Sequence, residues 1–402
     1  MSEQNTTNFD FQDFFKNLEN NAASFFEGVA DNFVGKADTL RDGTEFDPVE
    51  LPRDLAAHKN AQTEWWYYTG HFKTDSGKQF GFELVFFKRR TDLDKFSLIP
   101  LRLFGNPIYF AHFAVTDADG KKFRYAHRKS SNGIFDYPAS ASEKHFHLRL
   151  GDWSLRESKD THILRATANN LVFEANLKPT KNVVLNGKGK DGVSYKDEGQ
   201  ASRYFSYTRM ELDGDIILNG ETEHISGSAW MDREFGTWTP TDRQKGWDWF
   251  SIQLENNCEL MCYQLRDSEE NVSPFSSGTY VNEHGEFEPL AHNDFSIEPI
   301  GYWKSPNTNA TYPSSWKVKS EKYGLDLTVT PVMQDQELDT RGTTMIVYWE
   351  GACEVAGKAG GTDVKGRAYV ELVGYDRSHE QPNLAYFLMG NQFEFPSKSF
   401  FG

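Results

Sequence analysis

Cysteine is scarce: three residues in 402, Cys258, Cys262 and Cys353, too few and odd in number for a disulfide framework. The Cys258/Cys262 spacing is not that of a CxxC metal or redox pair, so all three read as buried thiols of a reducing compartment. Positive charge is short as well. Lys+Arg 43 against Asp+Glu 59 leaves −16, a field that repels nucleic-acid phosphates and anionic membrane surfaces and disfavours nucleic acid as a partner. No run of 18 apolar residues occurs, and the opening MSEQNTTNFD carries acids where a signal peptide has a basic stretch. The expectation is a cytoplasmic chain. Neither a GxSxG elbow nor an HExxH pair is present. Gly187–Gly192 spells GxGxxG, but VSYKDEGQ follows instead of a helix, so it reads as a hairpin loop.

Aromatic residues are plentiful: 15% of the chain, with Phe 32, Tyr 17 and Trp 10. Such rings favour strands. In the first 54 residues, Phe11, Phe14, Phe15, Leu18, Ala22, Phe25, Phe26, Val29 and Phe33 recur at three- and four-residue steps and predict an amphipathic helix or helix pair. It would pack on the body, cover a greasy pocket, or make a peripheral membrane contact. After Pro52 helical periodicity fades. Short runs such as FGFELVFF (80–87) and HFAVTDADGKKFRYAH (112–127, turning at Asp119-Gly120) follow one another at roughly ten-residue spacing. That pattern predicts an all-β protein of antiparallel barrels or sandwiches. FGFELVFF and WDWFSIQL (247–254) lack a strict polar alternate, which implies an apolar lumen on one side and a covering element on the other. The halves also resemble each other. EWWYY at 64–68 and WDWFS at 247–251 each open a hairpin; GSAWMD at 227–232 and GRAYVE at 366–371 both fit Gly-x-Ala-aromatic-x-acid. Two related barrels, 55–240 and 241–402, follow an N-terminal extension of residues 1–54, with PTDRQKG (240–246) as the joint.

Strand parity puts Glu64, Trp66 and Tyr68 on one face and Trp65 and Tyr67 on the other, so either face turned inward offers rings with a polar tip. By the same parity Trp230, Asp232 and Glu234 share a face, with Arg233 opposite. Burial beside a ring raises a carboxyl's pKa, the requirement for a general acid near neutral pH, and Asp232 is the leading candidate; an ion pair with Arg233, Arg209 or Lys245 is the alternative. His145 and His147 could begin a zinc site, but no third ligand follows at motif spacing, and no metal is expected. His71 and His112 lie in or at the ends of aromatic strands, where either could shuttle a proton or satisfy a buried backbone group; the second reading is favoured for both.

Together EWWYYTGHF (64–72), FGFELVFF, AHFAVTD (111–117), ASRYFSYTRMELDG (201–214), GSAWMDREFG (227–236), GWDWFSIQL (246–254), VYWEGACEVAG (347–357) and GRAYVELVGY (366–375) resemble the AttH-like proteins, a family that includes carotenoid 1,2-hydratases. The resemblance spans about residues 55 to 380. It implies two tandem lipocalin-like antiparallel β-barrels behind the N-terminal helical segment. It further implies an enzyme without a cofactor, acting on an apolar isoprenoid or polyene through protonation of a terminal double bond and capture of the cation by water. Asp232, Glu64 and Trp230 would then be catalytic, and Trp65, Trp66, Tyr68, Phe205 and Trp249 would wall the substrate. The hydratases carry a His-x-Trp pair upstream of the acid, where this chain has Arg203-Tyr204-Phe205. A lipocalin-type pericyclase or cyclase, and a noncatalytic carrier of lipid or pigment, remain open alternatives, discriminated by label from heavy-oxygen water and by bound pigment. The cavity is expected in the first barrel and at the seam. Oligomeric state is not encoded in these motifs.

Overall fold

A computed structural model describes residues 47–376 apart from 93–94, 97–98, 101, 103–104, 132–135, 237–243 and 268. The helical periodicity between Phe9 and Val34 lies outside the described residues, as do residues 1–46 of the 1–54 extension and most of the 240–246 joint.

Two large antiparallel sheets carry the rest, one of thirteen strands between Thr63 and Gly236, the other of ten between Gln244 and Val373. Each curls until its first long strand pairs with its last. Thr63–Thr74 lies against Glu221–Gly236, from Thr63 opposite Gly236 to Thr74 opposite Ile225; Gln244–Leu254 lies against Thr362–Val373 in the same sense. A meander whose ends meet is the lipocalin type of barrel, so the protein is all-β with two such barrels in tandem.

Burial along the strands tells which faces are covered. Thr161–Ala168 alternates buried and half-buried residues throughout, one face to the lumen and one toward water. Gln79–Arg89 does not alternate: Phe80 to Phe86 are all buried, as are Ala229 to Phe235 and Val347 to Cys353. These are the strands where barrel meets barrel. Each outer face is roofed by the other half, which is why their sequences lack a polar alternate.

Both lumens are packed. In the first, Phe72, Phe80, Phe82, Phe113 and Phe173 stack at centroid distances of 4.8 to 6.2 Å; in the second, Trp316 meets Phe250 at 5.3 Å and Trp349 at 6.1 Å. Truncating one such Phe to Ala costs about 3–5 kcal/mol.

The first lumen also holds a charged knot. Glu64 receives the Arg233 guanidinium, Lys88 Nζ at 2.7 Å and the His58 backbone N–H at 2.9 Å. Burial alone would raise the Glu64 pKa, but the Arg233 and Lys88 charges hold it well below the carboxylate range. Arg233 itself lies 3.9 Å over the Trp66 ring and donates to the Ala56 carbonyl at 2.8 Å, tying segment 53–58 across the barrel end.

Candidate functional site: the seam between the barrels

The outward faces of the closing strands meet in a layer of rings and acids. From the first barrel come Tyr67, Val85, Tyr204 and Trp230; from the second Trp249, Met261, Tyr263, Ala352 and Tyr369, with Trp65, Phe87 and Trp247 packed at the margin. Strand pairing fixes the acids among them. Asp232 lies opposite Tyr67 and Ser206, Glu83 opposite Thr69, and Glu350 and Glu371 oppose each other on adjacent strands. The seam has approximate internal symmetry. Asp232 and Glu371 each end the Gly-x-Ala-aromatic-x-acid motif, and each faces an aromatic of its barrel's first strand, Tyr67 or Trp249. Close approach needs Gly81, where a Cβ would stand 2.5 Å from that of Ala352.

Asp232 is held as an acceptor. Its Oδ1 receives Ser206 Oγ–H at 2.5 Å and Trp230 Nε1–H at 2.6 Å; its Oδ2 receives Tyr204 O–H at 2.5 Å. Two of these donors are themselves aimed: Asn186 Nδ2 donates to Ser206 Oγ at 2.8 Å and Trp249 Nε1 to the Tyr204 oxygen at 3.1 Å. Burial pushes the Asp232 carboxyl up to about 6, against the pull of Ser206, Tyr204 and Trp230. Beside it, Glu234 takes Lys196 at 2.8 Å, whose ammonium lies over the Tyr263 and Tyr204 rings at 4.6 and 5.1 Å.

The other acids are differently placed. Glu371 is half-buried at the margin and accepts one hydrogen bond, from Trp247 Nε1 at 2.7 Å. Burial, with the charges of Asp232 and Glu234 beside it, raises it to about 7 over the opposing effect of Trp247. Glu350 is wholly buried; Tyr67 O–H donates to its Oε1 at 2.8 Å, and its Oε2 has no partner. Glu83 is equally buried, with Tyr348 Oη 3.3 Å from Oε1 and again no partner at Oε2. Burial first, then the charge of Glu371, drives Glu83 up to about 8 and Glu350 well above its ordinary value. Among the described residues, no ion pair joins Asp232, Glu83, Glu350 or Glu371 to a basic side chain.

The structure therefore gathers Asp232, Trp230, Trp249 and Trp65 at the seam. Glu64, Trp66, Tyr68 and Phe205 point the other way, into the first lumen: Trp66 Nε1 donates to the Leu55 carbonyl at 2.8 Å, and Tyr68 Oη is 2.8 Å from His162 Nδ1. Arg233 pairs with Glu64 rather than Asp232, and Arg209 with Glu259 at 2.6 Å. His145 and His147 are exposed at a hairpin, while His71 Nε2 sits 2.9 Å from the Ala368 carbonyl across the seam. Sequence reasoning missed Glu83, Glu350, Glu371, Tyr204 and Tyr348 as site residues. A signal did exist in the lone glutamates of FGFELVFF and VYWEG, carboxyls amid residues that bury themselves. On one side of the seam a cleft of about 520 Å³ opens, lined by His71, Gln79, Gly81, Ala352 and Arg367 among others. A narrow space bounded by Thr69, Trp230, Ser251 and Tyr369 adjoins it, with His71 and Arg367 common to both.

A family model described as AttH-like matches residues 42–375. The chain belongs to the AttH-like family. An AttH protein of Nitrosomonas europaea, known from its crystal structure, is 30% identical, with 82% of this chain and 98% of that one covered and a TM-score of 0.72. Kievitone hydratase from Nectria haematococca is 16% identical over 82% and 94% of the two chains, TM-score 0.65; at that identity the likeness is one of fold. No curated protein matches the chain. Within the AttH-like fold, then, the seam is where buried acids and rings converge. Among the described residues no helix is long and apolar enough to cross a membrane.

Proposed function

We propose that this AttH-like protein is an enzyme that hydrates a carbon–carbon double bond of an apolar isoprenoid or polyene at the seam between its barrels. One observation supports it above the others: Asp232 and Glu371, which end the twin motifs, are prepared for opposite roles, Asp232 by three aimed donors and Glu371 by burial with a single donor, Trp247, and negative charge beside it. Titratable groups whose surroundings push them apart are the mark of an acid and its base. Glu371, partly open to solvent and raised toward neutrality, gives its proton to the less substituted alkene carbon. The π electrons form the new C–H bond and leave a tertiary cation. The Trp230, Trp249 and Tyr67 rings, which meet edge-on at 6.3 and 5.1 Å, offer it π density worth roughly 0.5–2 kcal/mol per ring. Water adds to the cation through a lone pair, and Asp232 takes the proton it releases.

The test is incubation with an acyclic carotenoid bearing a trisubstituted terminal alkene, in heavy-oxygen water. Labelled alcohol is expected, falling about 10²–10⁴-fold in Glu371→Gln, with a comparable loss in Asp232→Asn. Unlabelled, cyclised product would replace hydration by a pericyclase or cyclase reaction. Bound pigment with no turnover, visible in the absorption spectrum of the purified protein, would leave a carrier.

A further inference from the structure

Once Glu371 has given up its proton and Asp232 has taken one from water, the seam acids must be recharged. Glu371 reaches solvent at the margin, but Glu83 stands in a layer roofed on both sides. A chain of hydrogen-bonding groups leads away from Glu83. Tyr348 Oη lies 3.3 Å from Glu83 Oε1 and 2.8 Å from His112 Nδ1; His112 Nε2 lies 3.2 Å from Thr343 Oγ1; and Thr343 Oγ1 lies 3.1 Å from His127 Nδ1. Tyr348, His112 and Thr343 are buried, while His127 is half-buried and completes the path to the surface. Three separate segments build it: His112 and His127 on the neighbouring strands Ile108–Asp117 and Lys122–Ser130 of the first barrel, Tyr348 on Val347–Ala359 of the second, and Thr343 on the loop before it.

We propose that His127, Thr343, His112 and Tyr348 form a proton path that recharges Glu83. The inference rests on the hydratase reading for its purpose, though not for its geometry. Each link can both accept and donate. With Glu83 ionised, Tyr348 donates to Glu83, His112 Nδ1–H donates to the Tyr348 oxygen, and His112 Nε2 accepts the Thr343 hydroxyl proton. A proton arriving on His127 from solvent then moves every bond one step. His127 Nδ1–H passes to Thr343, Thr343 to His112 Nε2, His112 Nδ1 to Tyr348, and Tyr348 to Glu83. One proton enters and one is delivered; His112 changes tautomer and no charge stays on the path. Burial, and the neighbouring His127, hold His112 well below the imidazole range, and burial brings His127 down to about 4 over the opposing charge of Asp339. Both rings are therefore neutral at pH 7 and conduct protons without storing them. When idle, the Thr343 hydroxyl has another acceptor in the Thr340 carbonyl at 3.1 Å.

Infrared spectroscopy of the ligand-free protein moved from water into D2O tests this without any substrate. The C=O stretch of protonated Glu83 is assigned by its loss in Glu83→Gln, and its deuteration is followed with time. In Thr343→Val, which keeps the side-chain shape and removes the hydroxyl, deuteration of Glu83 is expected to slow roughly tenfold or more, to the rate at which the seam itself opens. The Glu371 band serves as an internal control and should keep its rate. His127→Gln, at the half-exposed end, should slow Glu83 likewise and guards against a Thr343→Val chain that does not fold. Glu83 deuterating at the native rate in both variants overturns the path, as does slowing of Glu371 in equal measure. Such a result leaves the hydratase reading standing, since that reading is judged on labelled product alone.

Discussion

The protein buries glutamates in two regions and treats them in opposite ways. In the first lumen Glu64 is completely enclosed but meets Arg233 and Lys88, and it stays ionised. At the seam Glu83 and Glu350 are as deeply enclosed, meet only phenolic groups, and are driven toward the protonated form. Depth is thus the same and consequence is not. A cation within reach makes a buried carboxylate a structural rivet, whereas a phenol within reach leaves a proton to be used. The two regions are separated by a single strand thickness: Trp66 faces the rivet, Tyr67 the reactive layer.

Removing one partner on each side gives the sharpest contrast. Arg233→Met leaves Glu64 with Lys88 and the His58 contacts but without its guanidinium, and cuts the Arg233 tie to segment 53–58; a loss of about 3–5 kcal/mol in urea unfolding is expected. Glu350→Gln replaces an acid that burial drives toward its protonated form by an amide of nearly the same shape. It is expected to stay within about 1 kcal/mol of the parent, as for a neutral hydrogen bond exchanged for another. A large loss in Glu350→Gln would mean that Glu350 is ionised and that the contrast fails.

Stability against pH should show both regions as separate limbs. Glu83 is raised from 4.5 to about 8, so between those values the folded chain binds more protons than the unfolded one. Its contribution is complete below pH 4.5 and is lost as pH rises toward 8. Asp54 runs the other way. Although burial opposes the shift, hydrogen bonds from His58 and the Glu50 amide lower it from 3.8 to about 2, so its contribution is present above pH 3.8 and disappears as pH falls to 2. Urea midpoints measured from pH 3 to 9 should therefore pass through a maximum on the acid side of neutrality. Glu83→Gln should make the alkaline limb shallower, most of all toward pH 8, above the range of Asp232 and Glu371, and leave the acid limb unchanged; a limb equally steep in the variant would assign it to those other groups.

The barrels were legible because their signals are local. The FGFELVFF run, the Asp119-Gly120 turn and the twin Gly-x-Ala-aromatic-x-acid motifs each lie within one hairpin or strand, and parity sorted Trp66 and Tyr68 from Trp65 and Tyr67 correctly. Parity does not say which side is the lumen. That choice depends on Arg233, 169 positions from Glu64 in sequence, and on Glu350, 283 positions from Tyr67. The reactive layer exists only after two barrels of separate sequence have docked, so no single run announces it. The lone glutamate in FGFELVFF was the available hint: an apolar strand covered on both faces has no exposed place for a carboxyl.

The smallest expected effect probes the donors on Asp232. Ser206→Ala removes one of two hydrogen bonds to Oδ1 and strands the Asn186 amide that aimed it. The carboxylate form loses a charge-assisted bond while the protonated form loses less, so the Asp232 pKa should climb above about 6, toward the state of its partner Glu371. Trp249→Phe acts one bond further out: without the indole N–H, the Tyr204 hydroxyl is a weaker donor to Oδ2, and the rise should be smaller. Carbon-13 titration of the Asp232 carboxyl reads both shifts directly. Ser206→Ala above Trp249→Phe above the parent is the order that the aimed-donor geometry requires. If Trp249→Phe leaves the titration untouched, the Tyr204 hydroxyl does not need its indole partner, and the distinction between the two seam acids rests on the three direct donors Ser206, Tyr204 and Trp230 alone.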